Sequence, residues 1–182
     1  MEDADGKIIV SPEELMRVLY HWLSLQLAPP DVKRRAREWH IRQWTRELRR
    51  RFRCELVALE TWITLDISLI VFGDMGKLRP IWDGVLSAVY MRLARVKDVS
   101  WEEWASSLVG KWKQYDTAMK TKDAAGPPLA LAERFDANLF GECRCDIEAL
   151  MLIMFDIVTT EKGLREALDK YEVQWERPQQ DS

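Results

Sequence analysis

The segment that most constrains the fold is a run of forty-two residues, 31–72, that contains neither glycine nor proline. Such a run favours helix, because it lacks the two residues that most often interrupt one. Apolar side chains recur along it every three or four residues, which places them on one helical face. They are Ile41, Trp44, Leu48, Phe52, Leu56, Leu59 and Ile63. Because the run is long for one globular helix, we predict two helices with a bend near Arg51–Cys54.

The second half of this run, from about Glu55 to Phe72, is apolar around most of its circumference. That pattern is typical of a helix surrounded by other helices, so we expect it to be the centre of the core. The residues expected to be largely buried are Leu59, Trp62, Ile63, Leu69 and Ile70. Glu60 and Asp66 interrupt the stretch, and no apolar run reaches 18 residues, so the sequence predicts no transmembrane segment.

Start and stop signals divide the rest of the chain into shorter helices. Ser11 and Ser100 each precede a glutamate by three residues, the pattern of a capping box. Asp146 can cap a later helix, whose expected apolar face is Leu150, Met151, Met154 and Val158. Further helices are expected to begin at Pro80, at about Leu129 and after Gly163, and only Glu172–Trp175 alternates weakly like a strand.

These signals predict an all-α fold, a single helical domain of about six to seven helices around a central apolar helix. We expect a flexible N-terminus over residues 1–10, an N-terminal helix and a basic helix over 11–53, a helical domain over 54–176, and a tail over 177–182. Nine tryptophans suit either a large helical core or a protein interface, and we favour the core for most of them.

Charge is concentrated in one segment. Residues 33–53 hold ten lysines and arginines against two glutamates, a net charge of +8, whereas the whole chain carries −3 and the remainder therefore −11. We expect the face that carries Ile41, Trp44, Leu48 and Phe52 to pack against the body of the protein or against a partner protein, and the arginines to face solvent or an anionic partner. The candidate partner-binding residues are Arg35, Arg42, Arg46, Arg49, Arg50 and Arg53. The acidic remainder of the chain, ribosomal RNA and an anionic membrane surface are the possible partners, of which the first is the simplest.

No pattern in the sequence indicates catalysis, a metal site or a cofactor. Cys143 and Cys145 form half of a zinc motif without a second half, and three cysteines do not make a disulfide framework. The carboxylates Glu55, Glu60, Asp66 and Asp74 are spaced by five, six and eight residues, which scatters them around a helix instead of gathering them on one Mg²⁺ ion. We therefore expect no enzyme activity and no small-molecule substrate.

One stretch resembles a known family. Tyr115-Asp116-Thr117-Ala118-Met119, a small and acidic loop, a Leu/Ala-rich helix and then Asn138-Leu139-Phe140-Gly141 resemble the ubiquinol–cytochrome c chaperone family. Cys143–Asp146 with the helix after it, and Tyr171–Trp175, are similar to that family's C-terminal helix and closing segment. Val57–Trp62 resembles a core helix of the family, except that Glu60 stands where histidine is common. The resemblance covers about residues 50–176 and does not extend to the basic helix.

The resemblance implies an all-helical, non-enzymatic protein. Members of the family help newly made cytochrome b enter the bc1 complex, in mitochondria or α-proteobacteria, and some lie at the exit of the mitochondrial ribosome. The first hypothesis is therefore an assembly factor of the respiratory chain. The alternative is a permanent structural subunit with a chaperone-like fold in a large mitochondrial complex, such as a respiratory complex, ATP synthase or the mitoribosome. The implied location is the mitochondrial matrix or inner membrane, although the sequence shows no targeting peptide.

Overall fold

The structure is a computed structural model that describes residues 6–41, 44–94, 99–120, 126–144 and 146–175. This part of the chain contains seven α-helices and two short strands. The helices are α1 (Pro12–Gln26), α2 (Pro29–Glu38), α3 (Arg46–Phe72), α4 (Met75–Val89), α5 (Trp101–Met119), α6 (Pro127–Phe140) and α7 (Ile147–Leu168). A π-helical turn, Tyr90–Ala94, follows α4. The prediction of an all-α domain is confirmed.

Helix α3 is the centre of the core, as the sequence predicted. Every residue from 55 to 64 is buried, and the helix contacts α1, α4, α5, α6 and α7. Leu59, Trp62 and Ile63 are buried, but the expectation was wrong for Ile70, which is 52% exposed, and Leu69 is half-buried. The last turn of α3 is covered on one side only, the side that carries Ile67 and Ser68.

Hydroxyl groups on the buried part of α3 are satisfied within the helix itself. Thr61 and Thr64 donate hydrogen bonds to the carbonyl oxygens of Val57 and Glu60, each at 2.7 Å, and Ser68 donates to that of Thr64 at 2.6 Å. A buried hydroxyl without a partner would destabilise the fold. These bonds let α3 carry polar residues through the core.

The long run 31–72 is interrupted earlier than the bend predicted near residues 51–54. Helix α2 ends at Glu38, and His40 takes a left-handed conformation with φ of 56°. The backbone N–H groups of His40 and Ile41 donate to the carbonyls of Arg37 and Ala36 at 3.2 and 3.0 Å, the bond pattern of a Schellman motif. Glycine usually occupies the position that His40 holds, so the sequence lacked the usual stop signal.

Two other predicted boundaries were wrong. Helix α4 begins at Met75 instead of Pro80, because the Asp74 side chain caps it by accepting from the backbone N–H groups of Gly76 and Lys77 at 2.9 and 3.2 Å. Helix α7 continues through Gly163, where a new helix was expected. A Cβ atom there would lie 3.5 Å from the Trp22 ring, so Gly163 is a site of close packing between α7 and α1.

The prediction of a flexible N-terminus over residues 1–10 was wrong for residues 8–10, and residues 1–5 lie outside the described ranges. Residues 8–10 form strand β1 (Ile8–Val10), which pairs in parallel with β2 (Tyr171–Val173), Ile8 opposite Tyr171. The two strands tie both ends of the described chain together. The boundary expected between residues 53 and 54 falls inside α3, and the tail 177–182 lies outside the described residues.

Aromatic residues join α3 to the break before it and to α6. The Phe52 ring lies edge-on to Trp39, Trp44 and Phe135, with ring centroids 5.6, 5.5 and 6.0 Å apart. Edge-to-face aromatic pairs stabilise a core beyond the area that they bury. All nine tryptophans are buried or half-buried, which confirms that most of them serve the core.

Candidate partner-binding surfaces

Three exposed arginines open helix α3. Thr45 caps the helix by accepting from the Leu48 backbone N–H at 3.1 Å. Arg46, Arg49 and Arg50 follow within the first two turns and are exposed; we call these three residues the arginine face. Like charges three or four residues apart repel, and the positive end of the helix dipole disfavours further positive charge. The arginine face therefore does not stabilise α3 by itself.

The arginine face has no anionic partner in the described ranges. Arg46, Arg49 and Arg50 form no ion pair with any residue placed there, and Arg49 Nε donates a hydrogen bond to the carbonyl oxygen of Thr45 at 3.4 Å. The neighbouring Arg51 differs, since its Nε lies 3.3 Å from the Glu47 carboxylate. Within these ranges, the acidic remainder of the chain is thus not the partner that neutralises the face.

The other candidate arginines lie in different environments. Arg53 is half-buried, and Arg42 lies outside the described residues. The expectation that Arg35 faces solvent or a partner was wrong, because its side chain is 1% exposed. Partner binding by the remaining candidates stays a prediction.

Arg35 instead connects four helices. From α2 its Nη1 donates to the Glu60 carboxylate of α3, and its Nη2 donates to Gln26 Oε1 of α1 at 2.6 Å. Its Nε lies 2.9 Å from Asp156 Oδ2 of α7. The partners are far apart along the chain, so no spacing in the sequence could have paired them.

Burial sets the electrostatics of this cluster. It raises the pKa of Glu60 and of Asp156, and the Arg35 charge partly counteracts that rise. Burial also disfavours the charged form of Arg35, but Glu60 and Asp156 together outweigh it and raise its pKa. Glu60 is 2% exposed, and its Oε2 has no hydrogen-bond partner in the described part of the chain. Arg35 and Glu60 are enclosed by the fold, and Asp156 is 22% exposed at the edge of the cluster. Because the cluster joins four helices, we assign it a structural role.

A second ion pair joins α3 to α5. Lys111 Nζ contacts the Glu55 carboxylate, and Tyr115 donates its hydroxyl to Glu55 Oε2 at 3.2 Å. Burial raises the pKa of Tyr115 and lowers that of Lys111. Tyr115 belongs to the motif that carries the family resemblance, and here its role is to hold α5 against the central helix.

The carboxylates that were expected to scatter do so. Glu55 meets Lys111, Glu60 meets Arg35, and Asp74 caps α4. Across the described ranges, no three His, Cys, Asp or Glu side chains gather where they could hold a metal ion. Cys54 is exposed and Cys143 is half-buried, whereas Cys145 lies outside those ranges.

An open groove of about 640 Å³ lies beside the start of α3. Its lining residues come from the α2–α3 connection, the first turns of α3 and the α6–α7 connection: His40, Thr45, Glu47, Leu48, Arg51, Phe140, Arg144 and Asp146. The groove carries both charge signs and one aromatic ring. It connects the end of the molecule that bears the arginine face to the first residues of α7.

Arg144 holds this groove in shape. Its Nε and backbone N–H each donate to the buried Asp136 carboxylate at 2.8 Å, and its guanidinium lies 4.0 Å from the centre of the Phe140 ring. It also donates to the carbonyl oxygens of His40 and Trp39 at 3.4 Å. One side chain thereby connects the α6–α7 and α2–α3 connections.

Helix α7 exposes an apolar stripe. Ile147, Met151, Phe155 and Val158 follow each other at spacings of four, four and three residues and are 68, 36, 58 and 41% exposed; we call these four residues the α7 stripe. The face predicted to pack inward was partly wrong, because Leu150 is buried but Met151 and Val158 are exposed. The helix is apolar on both sides, so periodicity alone could not orient it.

The fold and these surfaces were compared with known proteins. No protein-family model, no curated protein and no solved structure matches this chain. The ubiquinol–cytochrome c chaperone family therefore remains a resemblance carried by the motifs quoted above. Within the described ranges, no helix combines the length and the hydropathy that a membrane span needs.

Proposed function

We propose that this protein is a non-enzymatic, chaperone-like assembly factor that docks on a larger assembly through its arginine face. The single observation that carries the proposal is the position of Arg46, Arg49 and Arg50: exposed, adjacent, and without an ion pair in the described ranges. The positive charges of the arginine face repel each other and so oppose folding locally, which is consistent with a role in contacting a partner.

The family resemblance suggests the cellular assembly on which the protein acts. A Tyr115-Asp116 helix end, a Leu/Ala-rich α6 and an Asp-capped α7 are the features that resemble the ubiquinol–cytochrome c chaperone family, and all three segments are helical. We therefore place the proposed activity in the mitochondrial respiratory chain, in delivery of cytochrome b to the bc1 complex. A permanent structural subunit of a large mitochondrial complex is the competing assignment.

Charge reversal tests the docking surface. The triple variant Arg46→Glu/Arg49→Glu/Arg50→Glu should lose co-purification with the assembly while its thermal midpoint stays close to that of the wild type, because all three side chains are exposed. The matched control is Arg79→Glu/Lys113→Glu/Lys120→Glu, which makes the same charge change at exposed positions on α4, within α5 and at the residue that follows α5. The control should keep the association.

Separation of a detergent extract by native mass distinguishes an assembly factor from a permanent structural subunit. An assembly factor migrates with early, sub-stoichiometric intermediates, whereas a subunit migrates with the mature complex at fixed stoichiometry. If the arginine-face variant still associates as strongly as the control variant, the proposed docking surface is wrong.

A further inference from the structure

The α7 stripe is not accounted for by the fold or by the arginine face. The opposite side of α7 already packs into the core through Leu150, Ile153, Ile157 and Leu164. The half-buried side chains of Leu152 and Met154 flank the stripe and widen its apolar area. An apolar face of this kind on a helix that is anchored on its other side marks an interaction surface.

Charged residues continue the stripe in both directions along α7. Glu148 lies at its N-terminal end with a side chain 77% exposed, and Asp146 caps the helix there. Lys162 and Arg165 continue the same face beyond Val158, at spacings of four and three residues, and Lys162 is 75% exposed. The surface is therefore acidic at one end and apolar in the middle, and its other end carries Lys162 and Arg165 together with the exposed Glu166, a net charge of +1.

A surface with this order of charges is complementary to itself when two copies run antiparallel. Phe155 lies seven residues after Glu148 and seven before Lys162, so a two-fold axis at Phe155 puts each Glu148 opposite the other copy's Lys162. Seven residues are two helical turns, which keeps all three positions on one face. The antiparallel arrangement also opposes the two helix dipoles. A parallel arrangement would instead put like charges together.

From this complementarity we infer that the protein forms a homodimer in which the α7 stripes of two copies pack antiparallel about a two-fold axis at Phe155. The interface is isologous, so each apolar contact and each ion pair occurs twice. Among the described residues of one chain, Glu148 and Lys162 make only long contacts, with His40 and Glu166, each at 3.9 Å. Both side chains are therefore available to the second copy. The inference does not depend on the arginine face.

Sedimentation velocity of the purified full chain tests the inference over roughly 1–100 μM, a range that separates tight from weak dimers. The wild type should sediment as a dimer, and Phe155→Asp as a monomer with an unchanged circular dichroism spectrum, since Phe155 is exposed. Val109→Asp is the matched control, because Val109 is 43% exposed on α5. It should remain dimeric.

Charge exchange tests the antiparallel register. Lys162→Glu should weaken the dimer by about tenfold, and adding Glu148→Lys should restore it, because the pair is then re-formed with its signs reversed. In a Cys54→Ser background, oxidation of Phe155→Cys should give a disulfide-linked dimer, whereas Val109→Cys should not.

Three outcomes would overturn the inference. One is a wild type that stays monomeric throughout the concentration range. Another is a Val109→Asp variant that dissociates as completely as Phe155→Asp. The third is a monomer that floats with vesicles of anionic phospholipid in a manner that depends on Phe155, which would make a membrane the occupant of the stripe.

Discussion

Arg35 and Glu60 form an ion pair between α2 and the central helix α3, with both side chains almost excluded from water. The pair lies where α1, α2, α3 and α7 meet, because Gln26 and Asp156 contact the same guanidinium. Ion pairs of this kind fix the relative positions of helices more than they add net stability. Arg35 therefore helps to position α2 against the core, together with the buried side chains of Val32 and Ala36.

Removing Arg35 should strongly destabilise the fold. In an Arg35→Met variant, Glu60 keeps its burial but loses its cation, and breaking a buried pair from one side costs about 3–5 kcal/mol. We expect a loss of this size in the free energy of unfolding, measured by urea denaturation at neutral pH.

The matched control removes both partners. Arg35→Met/Glu60→Met leaves no buried charge from the pair, and apolar replacement of a whole pair is often close to neutral. The double variant should therefore be more stable than Arg35→Met alone. If the two variants unfold at the same urea concentration, Glu60 does not depend on Arg35 for its charge.

The sequence was enough to locate those helix ends whose capping residues lie within a few positions of each other in the chain. The capping boxes at Ser11 and Ser100 form as predicted, with each serine hydroxyl accepting from the glutamate backbone N–H at 3.2 Å. Asp146 caps α7 in the same way, and Gly141 ends α6 in a left-handed conformation. The mostly apolar circumference of α3 from Glu55 onward likewise identified the core.

Trp62 should be among the most sensitive positions of the core. It is 4% exposed, its Nε1 donates to Asp116 Oδ1 at 2.7 Å, and its ring lies 5.9 Å from that of Tyr115. Trp62→Ala should lower the free energy of unfolding by about 3–5 kcal/mol, the usual cost of a large aromatic side chain lost from a core. Equilibrium denaturation measures the loss.

A second substitution separates packing from hydrogen bonding at this position. Trp62→Phe keeps an aromatic ring but not the donor to Asp116, so it should cost less than Trp62→Ala. An alanine variant as stable as the wild type would contradict the central position of α3.

Asp66 should make stability depend on pH. Burial, together with the nearby Asp116 charge, raises its pKa above 3.8, and burial together with the Asp66 charge raises the pKa of Glu161 on α7. The folded state thus binds more protons than the unfolded state between pH 3.8 and the raised pKa. Stability from this group is therefore greatest at low pH and falls as pH rises through that window.

The variant Asp66→Asn removes this charge while keeping the shape of the side chain. At pH 7 it should be more stable than the wild type by a few tenths of a kcal/mol, the scale of repulsion between partly solvated like charges. The advantage should disappear below pH 3.8, where Asp66 is protonated in both states. Thermal unfolding from pH 3 to 7 measures it, and an advantage that persists at pH 3 would contradict the electrostatic cause.

The candidate surfaces were only partly predictable, because they depend on which side of a helix the rest of the chain covers. Residues 33–53 were correctly singled out for charge, yet Arg35 is buried and Arg46 is exposed, although both read as basic positions. The burial of Arg35 depends on its contacts with Gln26, Glu60 and Asp156, which lie on three other helices. The stripe on α7 was missed for a related reason, since Leu150 and Met151 are equally apolar and only packing shows which is covered.

His40 ends α2 in a conformation that favours glycine. Its φ of 56° brings Cβ close to the backbone, and an L-residue pays about 1–2 kcal/mol for the left-handed region. His40→Gly and His40→Ala both delete the imidazole and its 3.9 Å contacts with Asp146 and Glu148, so they differ in the backbone preference alone. We expect the alanine variant to be less stable than the glycine variant by about 1 kcal/mol in chemical denaturation.

The same pair of substitutions at Gln114 provides the control for His40. Gln114 is exposed inside α5, where the backbone is helical, so there the glycine variant should be the less stable one, by about 0.5–1 kcal/mol. Opposite signs at the two positions would show that the Schellman turn at His40 separates α2 from α3. Equal signs would mean that the chain continues as helix through residue 40, and the arginines of 46–50 would then lie within one long helix instead of at the start of α3.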